Sequence, residues 1–365
     1  MSQLFSPCSI GPLTLKNRIA IAPMCQYSAI DGVAQPWHAQ HLGRLALSGA
    51  GLVILEATGV EAAGRITPDD LGLWNDRQEA VLADLLKGLR TYSQTPIGIQ
   101  LAHAGRKAST SAPWKGGRAL TAQEGGWQTF GPSALPFRDD WPTPMEMTEA
   151  DMDRVVAAFE DTARRADRAG FDLVELHAAH GYLLSEFLSP MSNRRNDAYG
   201  GSAEARARFP LRIARALRDV WPRTKPLGAR FNGSDWVEGG VTLDEVVAFG
   251  RALHEMGYDY LHLTSGGNVA RADIPGSEPG YQVRFAEAVK TAVPEATVMA
   301  VGMIIDPQQA EDIVVSGMAD IVAVARAALD DPNWGHHAAV ALGHGEGLPP
   351  QYERAGKERW PGYSR

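Results

Sequence analysis

The chain has 365 residues, of which 44% are hydrophobic and 21% charged, and its formal net charge is −8. These values describe a globular protein with an ample core, the size of two ordinary domains or of one large α/β barrel. The charge is spread along the sequence, and no basic run indicates a nucleic-acid partner. No apolar run approaches the roughly 20 residues of a membrane-spanning helix, so we also expect no membrane partner.

The start of the chain and its cysteines indicate the compartment. Met1 to Pro7 contains no basic stretch that leads into an apolar one, so we expect no secretory signal. The sequence has two cysteines, Cys8 and Cys25, too few for a disulfide framework or a four-cysteine iron–sulfur cluster. This usage fits a reducing environment, and we predict a cytoplasmic protein.

The predicted elements begin with a β-hairpin from Ile10 to Lys16 that turns at Gly11 and Pro12. Short apolar runs typical of buried parallel strands then recur eight times along the chain. These runs cover Arg18 to Pro23, Gly51 to Ala57, Pro96 to Ala102, Leu173 to Leu176, Pro226 to Asn232, Tyr258 to Ser265, Ala296 to Met303 and Asp320 to Arg326.

Segments of helical period separate these runs. Thr148 to Asp151 resembles a capping box, and Gly170 stands where that helix should stop. Two further helices are predicted from Thr242 to Gly257 and from Asp306 to Gly317, the second with proline at its first position. Pro210 interrupts another helical pattern, and it predicts a break or a helix start there.

Eight strands alternating with helices predict an α/β fold, a (β/α)8 TIM barrel. The alternative, an open doubly wound sheet, needs a glycine-rich phosphate turn near its first strand, where this sequence has none. Two connections, 103–147 and 180–203, are too long for plain turns and follow strands three and four, so we expect them to build walls over the barrel mouth. We predict one barrel over residues 1–350 and a C-terminal tail over 351–365.

Two histidines and a tyrosine follow the fourth predicted strand within six residues, at His177, His180 and Tyr182. This end of a strand is where parallel α/β folds carry out chemistry. Imidazoles can donate to a carbonyl or nitro oxygen, and a tyrosine can supply a proton. The pair by itself leaves open a zinc site and a pair of structural histidines.

Two arginines and a glycine predict a bound anion. Gly302 and Arg326 end strands seven and eight, where such barrels often hold a phosphate, and glycine lets the backbone approach it closely. An end-of-strand salt bridge is the alternative for Arg326. Arg230 lies within the apolar fifth strand, where an unpaired guanidinium would be costly, so an anion at the barrel centre would satisfy it.

Further polar groups complete the mouth. Gln100, on the third strand, offers an amide that could read the edge of a heteroaromatic ring, or it could be a satisfied core amide. Cys25 and Tyr27 follow the first strand, where Cys25 could equally be a small buried apolar group and Tyr27 a wall residue. The predicted ligand is flat, polar-edged and phosphorylated, and flavin mononucleotide (FMN) fits this description.

Over nearly its whole length the sequence resembles the Old Yellow Enzyme family of ene-reductases, and specifically its branch often called thermophilic-like. The resemblance lies in several long motifs in the family's order. They are Leu15 to Ile19, Pro23 to Tyr27, Gln100 to Lys107, His177 to Tyr182, Asn193 to Arg195, Asp197 to Ser202 and Gln351 to Arg354.

The resemblance implies a noncovalent FMN, NADPH or NADH as the reductant, and no metal. The sequence departs from the family at Ala325, where members usually carry glycine. The implied cofactor-binding residues are Ala22, Pro23, Met24, Cys25, Ala57, Gln100, Arg230, Gly302, Ala325 and Arg326.

The implied activity is that of an NADPH dehydrogenase that reduces the activated C=C bond of α,β-unsaturated carbonyl compounds, with nitro compounds as further substrates. His177, His180 and Tyr27 would bind the substrate oxygen while flavin N5 delivers hydride to the β-carbon. Tyr182 would protonate the α-carbon, and Cys25 would tune the flavin. The family's tail further implies a homodimer or homotetramer in which Arg354 reaches the neighbouring subunit's substrate site.

Two other classes remain as alternatives. A zinc-dependent barrel hydrolase or lyase could use His177 and His180, but it needs further ligands beyond the nearby Glu175. A non-enzymatic flavin-binding or sensor protein is the other, and the set of substrate-side residues argues against it. Larger relatives that fuse the barrel to an iron–sulfur domain are excluded by length and cysteine count.

Overall fold

The computed structural model describes residues 2–276, 278–345, 347–356 and 358–362. Within these ranges the strands are β1 Cys8–Ile10, β2 Leu13–Leu15, β3 Ile19–Ile21, β4 Leu52–Gly59, β5 Ile97–Ala102, β6 Phe130–Gly131, β7 Met145–Glu146, β8 Leu173–Ala178, β9 Leu227–Asn232, β10 Tyr260–Thr264, β11 Thr297–Val301 and β12 Ile321–Val324. The helices are α1 Pro36–Ala46, α2 Asp76–Arg90, α3 Glu149–Ala169, α4 Leu183–Leu188, α5 Ala203–Val220, α6 Leu243–Glu255, α7 Val283–Ala292, α8 Pro307–Val315, α9 Arg326–Asp330 and α10 Trp334–Ala341.

Eight strands close into a parallel barrel in the order β3, β4, β5, β8, β9, β10, β11, β12 and back to β3. This confirms the predicted (β/α)8 barrel, and each predicted apolar run supplies one strand. Except for Thr297 at the start of β11, the barrel strands are buried along their whole length because the barrel interior covers one face and the helices cover the other.

The predicted N-terminal hairpin is also confirmed, as the antiparallel pair β1 and β2. Its side chains Ile10 and Leu15 share a buried cluster with Leu173 and Tyr260 from inside the barrel. The turn at Gly11 adopts a φ of +51° beside Asp259, which directly precedes β10. The hairpin therefore closes the amino-terminal end of the barrel and leaves the opposite end as the mouth.

The predicted helix ends agree with the structure. The Thr148 side chain accepts a hydrogen bond from the Asp151 amide, and the Asp151 carboxylate accepts one from the Thr148 amide. Gly170 ends α3 with a φ of +94°, a left-handed conformation in which glycine has no Cβ to clash. Thr242 caps α6 in the same reciprocal way, and Asp306 caps α8.

The prediction of a break or helix start at Pro210 is wrong. Helix α5 begins at Ala203 and runs through Pro210 to Val220. A proline inside a helix removes one backbone hydrogen bond and costs about 3 kcal/mol in isolation. The Pro210 ring is buried on the same face as Phe209, Ile213 and Leu217, so tertiary packing offsets that cost.

The two long connections differ in structure. Residues 103–147 form three short 3-10 turns and the two-residue pair β6 and β7, as the irregular composition predicted. The connection after β8 holds a helix, α4, which the sequence did not predict. Among the described residues no helix is long and apolar enough to cross a membrane.

Candidate active site

The residues singled out in the sequence lie at the carboxyl ends of the barrel strands. Ala22 to Tyr27 leave β3, Ala57 and Gln100 lie in β4 and β5, and Gly302, Ala325 and Arg326 follow β11 and β12. One cleft of about 310 Å³ opens there, and it is lined by His180, Arg230, Gly302, Ala325 and Arg326. The parallel barrel thus gathers residues from across the sequence at one mouth. A second, more apolar cleft lies between α5 and α6 and contains none of these residues.

The two imidazoles face each other at the end of β8. His180 Nδ1 lies 3.4 Å from His177 Nε2, and the Ala179 amide donates to His177 Nδ1 over 3.1 Å. Because a backbone amide can only donate, the proton of the neutral His177 ring is on Nε2. Burial, followed by the charge of Arg230, holds the pKa of both histidines well below the usual range. Both rings are therefore neutral at pH 7.

His180 is held in a left-handed conformation with a φ of +58°, which is uncommon for a residue other than glycine. Its backbone amide donates to the Asn232 side chain over 3.1 Å, and its Nε2 lies 3.0 Å from the Thr264 hydroxyl. These two contacts from β9 and β10 offset the backbone strain. They also fix the ring's position in the mouth.

Thr264 belongs to a hydrogen-bond network that sequence reasoning missed. Its hydroxyl donates to Gln282 Oε1 over 3.3 Å, and the Ser265 hydroxyl donates to the same oxygen over 2.6 Å. Gln282 Nε2 donates to the Val301 carbonyl, which fixes the amide's orientation. No local pattern marks these residues because each is an isolated polar side chain at a strand end or helix start.

Tyr182 packs against His177, with ring centroids 4.9 Å apart. Burial raises the pKa of its phenol well above 10, and the nearby Cys25 and Tyr27 raise it further. Behind the ring, the Lys107 ammonium lies 5.1 Å from the centroid and donates to the His180 and Gly267 carbonyls. Tyr182 is therefore a protonated phenol that faces the residues leaving β3.

The arginine predicted to meet an anion is buried at the barrel centre. Arg230 is 7% exposed, and its Nε has no hydrogen-bond partner among the described residues. Its guanidinium reaches Thr264 only at 3.5 Å. Glu175 provides the nearest compensating charge, although burial still lowers the pKa of Arg230. An acceptor or anion in the cleft would satisfy the unpaired group.

Glu175 lies below the cleft as a fully buried carboxylate, and its surroundings could not be read from the sequence. It accepts hydrogen bonds from Gln100 Nε2 at 2.7 Å, the Tyr260 hydroxyl at 3.1 Å and His262 Nδ1 at 2.9 Å. Burial acts to raise its pKa, but His262 and Arg230 outweigh burial and the pKa lies below the usual range. Because Gln100 donates to Glu175 through its side-chain nitrogen, its side-chain carbonyl oxygen points away from Glu175. That oxygen is available to accept a hydrogen bond from a ligand.

The ends of β11 and β12 form the region where a phosphate was predicted. Gly302 has a φ of +126°, and a Cβ there would lie 2.5 Å from Gln282 Nε2, so only glycine fits. Ala325 has a φ of −124° and a ψ of −94°, which lie outside the main α and β regions. Arg326 follows directly and lines the same cleft.

These residues fit FMN: Gly302 and Arg326 line the cleft where its phosphate would lie, the buried Arg230 suits its electron-rich ring edge, and the Gln100 carbonyl oxygen suits a ring N–H. Among the described residues, no group of three or more histidine, cysteine, aspartate or glutamate side chains could hold a metal ion. The zinc alternative would need ligands beyond His177 and His180. The fold and the cleft thus define a flavin-binding barrel.

The sequence profile of the NADH:flavin oxidoreductase / NADH oxidase family matches residues 3–343. An "NADPH dehydrogenase" of Geobacillus thermodenitrificans (strain NG80-2) is 44% identical over 356 residues, covering 96% of this chain and 98% of the relative. Morphinone reductase superposes with a TM-score of 0.78 at 27% identity, over 95% of this chain and 91% of that chain. A 2-naphthoyl-CoA reductase in complex with 2-naphthoyl-CoA gives 0.83 at 26% identity, over 95% of this chain but 53% of that longer chain.

The chain therefore belongs to the NADH:flavin oxidoreductase / NADH oxidase family, and the resemblance to the Old Yellow Enzyme family is confirmed. It is an FMN-dependent oxidoreductase that takes electrons from a reduced nicotinamide. FMN, when bound, supplies the group that accepts hydride from the nicotinamide and passes it on.

Proposed function

We propose that this protein is an ene-reductase that uses NADPH to reduce the C=C bond of α,β-unsaturated carbonyl compounds, with nitroalkenes as further substrates. The observation that carries the proposal is the cluster of two neutral imidazoles and one protonated phenol beside a buried cation. The name of the Geobacillus relative supports NADPH as the reductant. The sequence composition supports a cytoplasmic location.

The substrate oxygen would bind at the histidine pair. His177 Nε2–H points toward His180, so an oxygen placed between the rings can accept from it. His180 can donate from Nδ1 if the Thr264 hydroxyl turns from Gln282 to His180 Nε2, which lies 3.0 Å away. Two donors on one carbonyl oxygen withdraw electron density from the β-carbon. Tyr27 would provide a further donor to the same oxygen.

The proton would come from Tyr182. Its phenol stays protonated at neutral pH because burial raises its pKa. So weak an acid gives up its proton only when negative charge develops on a carbon beside it. Such a proton donor suits the α-carbon of an enone. Cys25, which lies near Tyr182 and Arg230, would tune the cofactor's potential without transferring a proton.

The cofactor would be held by Gln100, Arg230, Gly302, Ala325 and Arg326, together with the backbone of residues 22–25 and Ala57. Arg230 would stabilise negative charge on the bound ring because its guanidinium is buried and its Nε has no hydrogen-bond partner among the described residues. Gly302 and Arg326 would hold the phosphate.

The purified protein should be yellow, and denaturation should release a noncovalent flavin that co-migrates with FMN and not with FAD. After anaerobic reduction with NADPH, addition of cyclohexenone should restore the oxidised flavin spectrum. A colourless protein that takes up no FMN on reconstitution would contradict the whole proposal. A flavoprotein that NADPH reduces but enones do not reoxidise would contradict only the substrate class.

We further propose a homodimer or homotetramer in which the tail, residues 351–365, reaches a neighbouring subunit. Lys357 and residues 363–365 lie outside the described residues. Arg354 and Tyr352 are exposed on a 3-10 turn, Pro350–Ala355. Residues of a subunit interface are exposed in this way when one subunit is considered without its partner. Arg354 would enter the partner's substrate pocket.

Truncation after Pro350 should raise the KM for cyclohexenone about fivefold, the equivalent of losing one charge contact of about 1 kcal/mol. It should also loosen the oligomer while FMN stays bound. Steady-state kinetics and analytical ultracentrifugation would measure both effects, and Arg354→Ala in the full chain would separate the arginine from the rest of the tail. A truncated protein with wild-type KM and assembly would show that the tail is only a chain end.

A further inference from the structure

An irregularity in the barrel places a carboxylate beside the mouth. The register between β4 and β5 shifts between Leu55 and Ala57, so Glu56 is an extra residue in β4. Such bulges occur next to active sites, where they redirect a side chain. Glu56 is 3% exposed, and it contacts the turn that leaves β3 and carries Cys25 and Tyr27.

The Glu56 carboxylate makes two contacts. Its Oε2 accepts a hydrogen bond of 2.7 Å from the peptide N–H that joins Cys25 to Gln26. Its Oε1 lies 3.4 Å from Nε2 of the fully buried His38. The Gln35 amide donates to His38 Nδ1 over 2.9 Å, so the proton of a neutral His38 is on Nε2 and faces Glu56. The hydrogen bond from the backbone N–H of Gln26 thus holds one carboxylate oxygen, while His38 makes a longer contact to the other that is not a hydrogen bond.

The turn that Glu56 holds is conformationally unusual. Tyr27 has a φ of +48°, in the left-handed region that residues with a side chain rarely adopt. The Gln26 side chain donates to the Met24 carbonyl and accepts from Trp37 Nε1. The Ser28 hydroxyl donates to the Gln26 carbonyl over 2.8 Å. Hydrogen bonds thus hold the residues on both sides of Tyr27. Glu56 provides the one to the backbone N–H of Gln26, the residue between Cys25 and Tyr27.

We propose that Glu56 is a positioning residue with two effects. Its hydrogen bond to the backbone N–H of Gln26 places Cys25 and Tyr27 in the mouth, and its carboxylate holds a negative charge beside the Cys25 thiol. The consequence for the substrate rests on the proposed function, since Tyr27 would bind the substrate oxygen. The consequence for Cys25 does not. Burial, then Asp70, then Glu56 raise the pKa of Cys25, which agrees with a thiol kept neutral by its surroundings.

Two variants separate the hydrogen bond from the charge. Glu56→Gln keeps an acceptor oxygen for the Gln26 amide but removes the charge, whereas Glu56→Ala removes both. The matched control is Glu61→Gln, because Glu61 also pairs with a buried histidine, His103, at 3.0 Å. Glu61 has no place in the proposed site.

The first measurement is alkylation of the FMN-loaded enzyme by iodoacetamide at pH 7.5, followed by mass spectrometry of each cysteine peptide. Cys8, the only other cysteine, is an internal reference because it lies in the N-terminal hairpin. Alkylation of Cys25 should be up to about tenfold faster in both Glu56→Gln and Glu56→Ala, since both remove the neighbouring charge and its loss lowers a thiol pKa by up to about one unit. Cys8 in every variant, and Cys25 in Glu61→Gln, should react at the parent rate.

The second measurement is the kinetics of cyclohexenone reduction. Glu56→Ala should raise KM about tenfold, the effect of one lost charge-assisted hydrogen bond, and Glu56→Gln should stay within about twofold of the parent. Unchanged Cys25 alkylation in both variants would overturn the proposal, and so would unchanged KM in Glu56→Ala. If Glu56→Ala does not fold, an unchanged alkylation rate in Glu56→Gln suffices to overturn it. A parent enzyme that does not reduce enones would contradict the proposed function, while the alkylation result would still decide the role of Glu56.

Discussion

Replacing Arg230 with alanine should weaken FMN binding at least about thirtyfold, because truncating one member of a buried charge pair costs about 2 kcal/mol or more. The Arg230 side chain is 7% exposed and lines the cleft, and its Nε has no hydrogen-bond partner among the described residues. The Glu175 carboxylate below would also lose the charge of Arg230, which helps to hold its pKa below the usual range. Fluorescence quenching on titrating apoprotein with FMN would measure the dissociation constant, and stopped-flow absorbance the rate of reduction by NADPH.

A second buried arginine provides the control for general damage. Arg206 is 5% exposed and pairs with Glu245 at 2.6 Å, on α5 and α6 outside the barrel. Arg206→Ala should lower the melting temperature but leave the FMN dissociation constant unchanged. Arg230→Lys keeps the charge without the planar donors, and its affinity should fall between the parent and Arg230→Ala. An FMN affinity within threefold of the parent in Arg230→Ala would show that this residue is only structural.

Replacing Tyr182 with phenylalanine should slow enone reduction by about 100-fold or more, the usual contribution of a positioned general acid. Reduction of the flavin by NADPH should stay near normal, because that step needs no proton from the phenol. Stopped-flow measurement of each half-reaction separates the two rates. The ring would keep its packing against His177 at 4.9 Å, so substrate positioning should change little.

The pH dependence of the parent enzyme adds a second criterion. Because burial raises the Tyr182 pKa well above 10, the acid form persists as pH rises through 10, where an ordinary tyrosine loses its proton, and the oxidative half-reaction should not fall there for want of a proton. The control for Tyr182→Phe is Tyr258→Phe, which removes a buried hydroxyl that donates to the Ala214 carbonyl outside the mouth. Both half-reactions should be normal in that control. An equal fall in both half-reactions of Tyr182→Phe would contradict the proton-donor role.

The barrel and the position of its mouth were readable from the sequence because both follow from local and periodic signals. Eight apolar runs alternate with helical segments, and capping residues such as Thr148 and Asp306 mark the helix starts through contacts within one turn. Once the strands are parallel, every strand end falls at the same mouth. Arg230 and the His177 to Tyr182 run could therefore be assigned to one site without knowledge of a single distance.

Tertiary structure alone decided the features that depend on contacts between distant residues. Pro210 stays within α5 because its ring is buried, a gain no local propensity contains. The support of the site is equally nonlocal: Glu175 meets His262 across 87 residues, and Glu56 meets Gln26 across 30. A one-residue shift of strand register decides whether Glu56 faces the turn or not, and the sequence carries no periodic signal for such a shift. The sequence by itself thus determined the barrel and the residues around its mouth, whereas closure of the barrel determined which of them touch and how they are oriented.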